Sequence, residues 1–259
     1  MNLGIAGRKA IVCASSRGLG KACARALAEA GCEVVINGRD GKKLETAAAE
    51  LVSFAGVKVT PVAADVATPE GQKALLAACP EPDILVNNNA GPPMRDFREL
   101  TRQQMIDGVI ANMVVAIELI QKVIEPMCQR KFGRIVNITS GSVRMPLAGL
   151  DLSSGARAGL TAFLAGVARS VADKNVTINN ILPGAFDTDR LRGVLGKTAE
   201  QKGKNVAEVA ADRVATIPAK RFGNPDEFGA ACAFLCSTHA GYITGQNLLI
   251  DGGTFNGAF

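Results

Sequence analysis

The chain is 259 residues long, 47% hydrophobic and 20% charged, with a formal net charge of +5. That length and apolar content suffice for one sizeable core, and a single tyrosine with no tryptophan leaves no aromatic set for stacking bases, so nucleic acid is excluded as a partner. Seven cysteines without a Cys-x-x-Cys read as buried free thiols of a reducing cytoplasm, and one histidine, His239, excludes a multi-histidine metal centre, so no metal is expected.

The first eight residues lack the apolar core of a signal peptide, and no apolar run is long enough to span a bilayer, so no membrane partner is expected. An apolar run ending at Val12 then meets Cys13-Ala14-Ser15-Ser16-Arg17-Gly18-Leu19-Gly20. Glycines at 18 and 20 let backbone approach a ligand where a Cβ would collide, and a helix starting there aims its unpaired N–H groups at an anion. Alone, such a turn is also a plain tight connection. Its context favours the ligand: Ala22, Cys23, Ala26, Leu27 and Ala30 form one helical stripe that stops at Gly31, and Val34-Val35-Ile36 returns as a buried strand. A unit of this order and length predicts a dinucleotide's pyrophosphate on the turn.

Leu44, Ala47, Ala48 and Leu51 mark a second helix, residues 57–62 a third strand ending at Asp65-Val66, and Pro69 to Ala78 a third helix. Ile84-Leu85-Val86-Asn87 is a short strand running into Asn88-Asn89-Ala90-Gly91. A long helix is expected from Thr101, capped with Gln104, through Asn112 to a break near Pro126. Residues 133–140 form a fifth strand, 154–171 a helix, 176–182 a sixth strand stopping at Pro183-Gly184, a last helix opens at Pro225, and 247–253 is a seventh strand. Residues 187–217 interrupt this rhythm and read either as a mobile substrate cap or as a solvated helical hairpin. Strands alternating with helices predict parallel pairing with helices on both faces, and ligands bind beyond the carboxyl ends of such strands.

The segments at those ends resemble the short-chain dehydrogenase/reductase family over essentially the whole chain. Residues 13–20 are similar to its Thr-Gly-x-x-x-Gly-x-Gly turn, Asn88-Asn89-Ala90-Gly91 to its Asn-Asn-Ala-Gly segment, and Asp65-Val66 to its adenine-side pair. Asn112 matches its helix asparagine, Ser140 its strand-end serine, and Pro183-Gly184 with Phe186 and Thr188 its nicotinamide-side loop. The resemblance implies a single doubly wound Rossmann-type α/β domain over residues 1–259 with a seven-stranded parallel sheet. It also implies cofactor contacts from Ala14, Ser15, Ser16, Arg17, Gly18, Leu19, Gly20, Arg39, Asp65, Val66, Asn89, Ala90, Gly91, Arg157, Pro183, Gly184, Phe186 and Thr188. A homo-oligomer, tetramer or dimer, is implied as well, with the Ala/Gly-rich face from Ala158 to Ala168 available to a twin.

Charge selects the cofactor. Asn37-Gly38-Arg39 offers no carboxylate before Arg39 to hold a ribose 2′-hydroxyl, and Arg17 and Arg39 are placed to flank a 2′-phosphate, so NADP(H) is expected over NAD(H), with Asp40 the dissenting residue.

The family's Tyr-x-x-x-Lys pair falls on Ser153 and Arg157, and neither matches. The catalytic set is therefore read as Asn112, Ser140, Ser153 and Arg157. An aliphatic hydroxyl is a far weaker acid than a phenol, and a guanidinium does not relay protons. Hydride transfer then needs Arg157, Ser140 and a water to stabilise the developing alkoxide, or a proton from Asp151 held neutral by burial. Ala14 also replaces a family glycine, at a cost if the backbone there has positive φ. The expected function is NADP(H)-dependent interconversion of a carbonyl and an alcohol on a small-molecule or acyl-thioester substrate. The alternative is a nucleotide-binding regulator without chemistry; a serine hydrolase would depend on His239.

Overall fold

The computed structural model describes residues 2–257. Seven parallel strands, β1 (Lys9–Val12), β2 (Glu33–Gly38), β3 (Val59–Ala63), β4 (Ile84–Asn87), β5 (Gly133–Ile138), β6 (Val176–Pro183) and β7 (Asn247–Ile250), form one sheet in the order β3-β2-β1-β4-β5-β6-β7. The order reverses between β1 and β4, which opens a crevice at their carboxyl ends. β4 and β5 are buried throughout and β1 from its second residue on, because helices cover both faces, the reason these strands read as mostly apolar.

One face is covered by α1 (Gly18–Glu29), α2 (Gly41–Ala55) and α9 (Pro225–Cys236), whose Cys23, Leu27, Leu44, Leu51, Phe228 and Cys232 share a core with Val12, Ile36 and Val86. The other is covered by α3 (Pro69–Ala78), α5 (Val115–Gln129) and α6 (Asp151–Ser170), through Leu75, Leu119, Val123, Leu160 and Leu164 on Ile11, Leu85 and Ile135. Each of these fully buried aliphatic side chains contributes about 1.5–3 kcal/mol.

Local signals set the boundaries. Thr101 and Gln104 form the expected capping box at the start of α4 (Arg102–Val109). A π-turn over Ile110–Val114 joins α4 to α5. The break expected at Pro126 does not occur: α5 runs on to Gln129, because the proline lies in its last turn and the fully buried Met127 just beyond keeps the apolar stripe on the sheet. β7 stops at Ile250 rather than 253, since Asp251 turns the chain by accepting from the N–H groups of Gly253 and Phe255. Residues 187–217 contain α7 (Asp189–Lys202) and α8 (Val206–Ala215), which pack on each other through Leu195, Ala199 and Val209. No helix among the described residues is long and apolar enough to cross a membrane, and they contain no cluster able to hold a metal ion.

Candidate active site

After β1 the chain turns into α1, and Ala14 takes φ 45°, the left-handed region that costs a residue with a Cβ roughly 1–2 kcal/mol. Two asparagines hold it there. The Ala14 N–H donates to Asn37 Oδ1 at 3.3 Å, and its carbonyl accepts from Asn88 Nδ2 at 3.1 Å. Asn37 is buried and donates onward to the carbonyls of Val62 and Ala64 at 3.1 and 3.0 Å, so one amide ties together the tips of β1, β2 and β3. The Ser15 hydroxyl completes the corner, donating to the Val12 carbonyl at 2.7 Å and accepting from the Asn37 N–H at 3.0 Å. No motif singles out Asn37 or marks Asn88 as a loop tie; their one signal is an uncharged amide closing an apolar strand.

The cradle so formed fits a diphosphate. A Cβ on Gly20 would lie 2.4 Å from the Ala14 carbonyl oxygen, and Gly18 has φ 59°, so neither position takes a larger residue without strain. No side chain caps α1, as none caps α5 and α6, whereas α2, α3, α4, α7, α8 and α9 each have one. Its first N–H groups and positive dipole end face the rim beside Ser16 and Arg17, as an anion requires. Leu19 packs its side chain on the core, leaving only its backbone for a ligand.

At the tip of β2, Arg39 is exposed, with Nη1 3.9 Å from Asp65 Oδ2, and Val66 is buried beside it in sequence. Asp40 is engaged by its own helix. It caps α2 by accepting from the Lys43 N–H at 3.2 Å and pairs with Lys43 Nζ at 3.1 Å, and that backbone hydrogen bond holds its carboxyl below the usual range.

The tip of β4 is tied to two places at once. Asn88 reaches the glycine turn, while Asn89 Nδ2 donates to the Ala111 carbonyl in the π-turn at 3.1 Å. Asn112 follows, buried, with Nδ2 donating to the Gly108 carbonyl at 3.1 Å and Oδ1 without a hydrogen-bond partner. Across the sheet Asn87, Asn137, Asn180 and Asn247 form a ladder of side-chain amides, each donating to the next at 2.9, 3.1 and 2.8 Å. Asn87 and Asn112, whose Oδ1 atoms have no hydrogen-bond partner among the described residues, line with Arg157 a cavity of about 20 Å³, room for one water.

Arg157 lies in the first half of α6, buried to 7% exposure. Its Nε donates to Ser153 Oγ, one turn earlier, at 3.3 Å, and its Nη1 to the carbonyl of Ile138 at the end of β5 at 2.7 Å. Nη2 makes no hydrogen bond within the described residues and lies 3.6 Å from where a Gly91 Cβ would be. No carboxylate among the described residues pairs with this side chain. Burial first, and then the charge of Arg190, pull its pKa down to about 10, which leaves it charged at neutral pH. Since Ser153 Oγ accepts from Arg157, its own proton remains for another acceptor, and the buried residue neighbours a closed crevice lined by Pro92, Pro93, Leu100 and Gly149. Ser140 closes β5 by accepting from the Ser142 N–H at 3.1 Å and from its hydroxyl at 2.9 Å. Across the rim, the Gly184 N–H donates to the Ile250 carbonyl at 2.8 Å where β6 ends at Pro183, and Thr188 caps α7 beside Gly18. Ala90 and Gly91 complete the gathered segments.

Three expectations are corrected. Asp151 is exposed and accepts from the Gly149 N–H at 3.0 Å, so the burial that would keep it neutral is absent. Phe186 turns its ring into the core, edge-on to Phe228 with centroids 5.3 Å apart, and is 5% exposed, so its side chain is not available to a cofactor. His239 is exposed and bonded to the Asn2 carbonyl at 2.8 Å, which removes the base a serine hydrolase would use.

A doubly wound parallel sheet, a glycine-lined cradle at its switch point and polar side chains gathered at one rim define a dinucleotide-binding protein of Rossmann type. The chain belongs to the short-chain dehydrogenase/reductase family of oxidoreductases: residues 13–254 match the family model described as Enoyl-(Acyl carrier protein) reductase. It is similar to the 3-oxoacyl-[acyl-carrier-protein] reductase of Vibrio cholerae, 32% identical over 257 residues that cover 98% of this chain and 99% of that one. The NADPH-dependent reductase BacG of Bacillus subtilis is 30% identical, with 95% and 97% covered. Among solved structures, that of L-sorbose reductase from Gluconobacter frateurii, complexed with NADPH and L-sorbose, superposes with a TM-score of 0.94 at 29% identity over the full length of both chains.

Proposed function

We propose that this protein is an NADPH-dependent reductase of a carbonyl compound in which Ser153 and Arg157 replace the family's tyrosine and lysine. The observation that carries this reading is the free Nη2 of a buried, carboxylate-free Arg157 at the rim, one helical turn from a serine hydroxyl whose oxygen it polarises.

The residues that would hold the cofactor are the backbone from Ala14 to Gly20 at the diphosphate, Arg17 and Arg39 at the 2′-phosphate, Asp65 and Val66 at the adenine, and Asn89, Ala90, Gly91, Pro183, Gly184 and Thr188 toward the nicotinamide. When bound, NADPH supplies the hydride. The protein's own task is to hold the substrate oxygen as it gains charge. Arg157 donates an N–H from Nη2, and Ser140 and Ser153 donate hydroxyl hydrogens, each shortening as the oxygen becomes an alkoxide. The proton then comes from water, since neither hydroxyl is acidic enough to give one up at neutral pH. Asn112 Oδ1 and Asn87 Oδ1, two unpartnered acceptors, orient such a water in the cavity beside Arg157.

The hairpin α7–α8 serves as a substrate cap, because its first turn carries Thr188 against Gly18 and Arg190 against Gly91. Self-association is supported by exposed Met105, Ile106, Val109 and Ile110 along α4 and the π-turn, with Phe163 exposed on α6. A cytoplasmic setting agrees with seven unpaired cysteines. The test is NADPH consumption with a panel of ketones, 3-oxoacyl thioesters and 2-oxo acids. Turnover with at least one class is expected; NADPH binding without turnover on any of them would instead make this a nucleotide-binding regulator.

A further inference from the structure

Arg157 and Arg190 come from different elements, α6 and the first turn of α7, yet meet over the same point. A methyl group built on Gly91 would lie 3.1 and 3.3 Å from the two Nη atoms of Arg190 and 3.6 Å from Nη2 of Arg157. Two like charges so close repel, and a guanidinium in the first turn of a helix also opposes the helix dipole. No carboxylate among the described residues offsets this. Among the described residues neither arginine has a carboxylate partner, whereas Arg8, Arg25, Arg39, Arg98, Arg130, Arg192 and Arg221 each have one. The two acids nearest Arg190 in sequence, Asp187 and Asp189, are both turned to Arg192, at 3.0 and 3.5 Å.

The geometry points to an anion clamp: Arg157 from below and Arg190 from the cap close on a carboxylate of the substrate, so the carbonyl compound reduced here is an oxo acid. This inference rests on the reductase reading and names its substrate class. Two planar forks converging on one point suit a carboxylate, whose two oxygens accept from both, better than a neutral thioester oxygen. Because Arg157 also reaches Ser153, the bound carboxylate lies next to the reacting carbonyl, which favours 2-oxo acids over acids charged at a distant end. The cofactor's diphosphate shares this anion chemistry, but its place is the open end of α1, where Gly18 and Gly20 make room.

The closing experiment pairs calorimetry and kinetics on the full chain with Arg190→Gln and Arg190→Lys; the position is exposed, so both variants fold. Oxalate is titrated into the protein without cofactor, NADPH in a separate run, and kcat/KM is measured for 2-oxopentanoate and its methyl ester. Arg190→Gln is expected to weaken oxalate binding and to lower the acid-over-ester preference, each by about 10- to 100-fold, with partial rescue by Arg190→Lys. Undetectable oxalate binding, or an unchanged oxalate constant in Arg190→Gln, would overturn the clamp. So would a loss of NADPH affinity as large as the loss for oxalate, which would assign the anion to the cofactor. Absence of turnover on every carbonyl compound sinks the reductase reading alone, since the oxalate titration still judges the clamp.

Discussion

Arg157 Nε donates to Ser153 Oγ at 3.3 Å inside α6, a contact between two buried side chains one helical turn apart. The contact engages the serine oxygen as an acceptor, so on the proposed reading its proton is left for the substrate. On the proposed reading the chemistry is slow, because an aliphatic alcohol is too weak an acid to stand in for the phenol and the proton must come from water.

Replacing the pair tests this directly. Ser153→Tyr combined with Arg157→Lys is expected to raise kcat for ketone reduction by about 100-fold, the usual scale of a positioned general acid. Steady-state NADPH oxidation decides it. A double variant no faster than the parent would show that the surrounding residues no longer support a phenol, and turnover found only in the variant would count against the parent as an enzyme.

Arg157→Met separates function from folding. Burial lowers the folded pKa of this arginine to about 10 from 12.5, so at every pH below 10 the charge opposes folding, and the opposition is relieved only as pH rises between those two values. Removing the charge at neutral pH, despite the lost hydrogen bond to Ile138, is expected to leave stability unchanged or raise it by about 1 kcal/mol. Turnover should fall by about 100-fold or more. A urea midpoint that drops sharply would mean the arginine is a structural strut.

Ala14 predicts a gain. Its left-handed backbone is held by Asn37 and Asn88 whatever the residue, so Ala14→Gly relieves strain without loosening the turn. After the entropy cost of a glycine, about 0.5–1 kcal/mol of stabilisation remains, a rise of roughly 2 °C in Tm for a domain of this size. Asn37→Ala should do the reverse, costing about 2–4 kcal/mol as it leaves three backbone groups without partners. Thermal melts of both variants check the pair of signs.

If Arg39 holds the 2′-phosphate as proposed, Arg39→Ala is expected to weaken NADPH binding by about 10-fold or more and to change NADH binding far less, since NADH has no such phosphate. Equal losses for both cofactors, read by fluorescence titration, would remove Arg39 from the phosphate site.

Thiol labelling gives an independent view of the core. Burial pushes the Cys13 and Cys32 thiols up to about 12, and Cys128 alone of the seven is partly exposed. At mildly alkaline pH a maleimide should therefore modify Cys128 first and the other six only as the protein opens. Early labelling of Cys13 would contradict the packing at the end of β1.

The strand order's alternating pattern, the glycine turn, the Thr101 capping box and the absence of a matching tyrosine or lysine at 153 and 157 were all present in the sequence, because each is set by neighbours within a few residues. Pro126 misled, since a proline's local penalty was outweighed by the burial of Met127 on the sheet. What only the folded chain decided lies between distant segments: Asn37 tying three strand tips, Asn88 reaching Ala14 across 74 positions, and Arg190 meeting Arg157 over Gly91. Side-chain amides and guanidiniums carry no periodicity of their own, so their partners become visible only when the parallel sheet brings its carboxyl ends to a single rim.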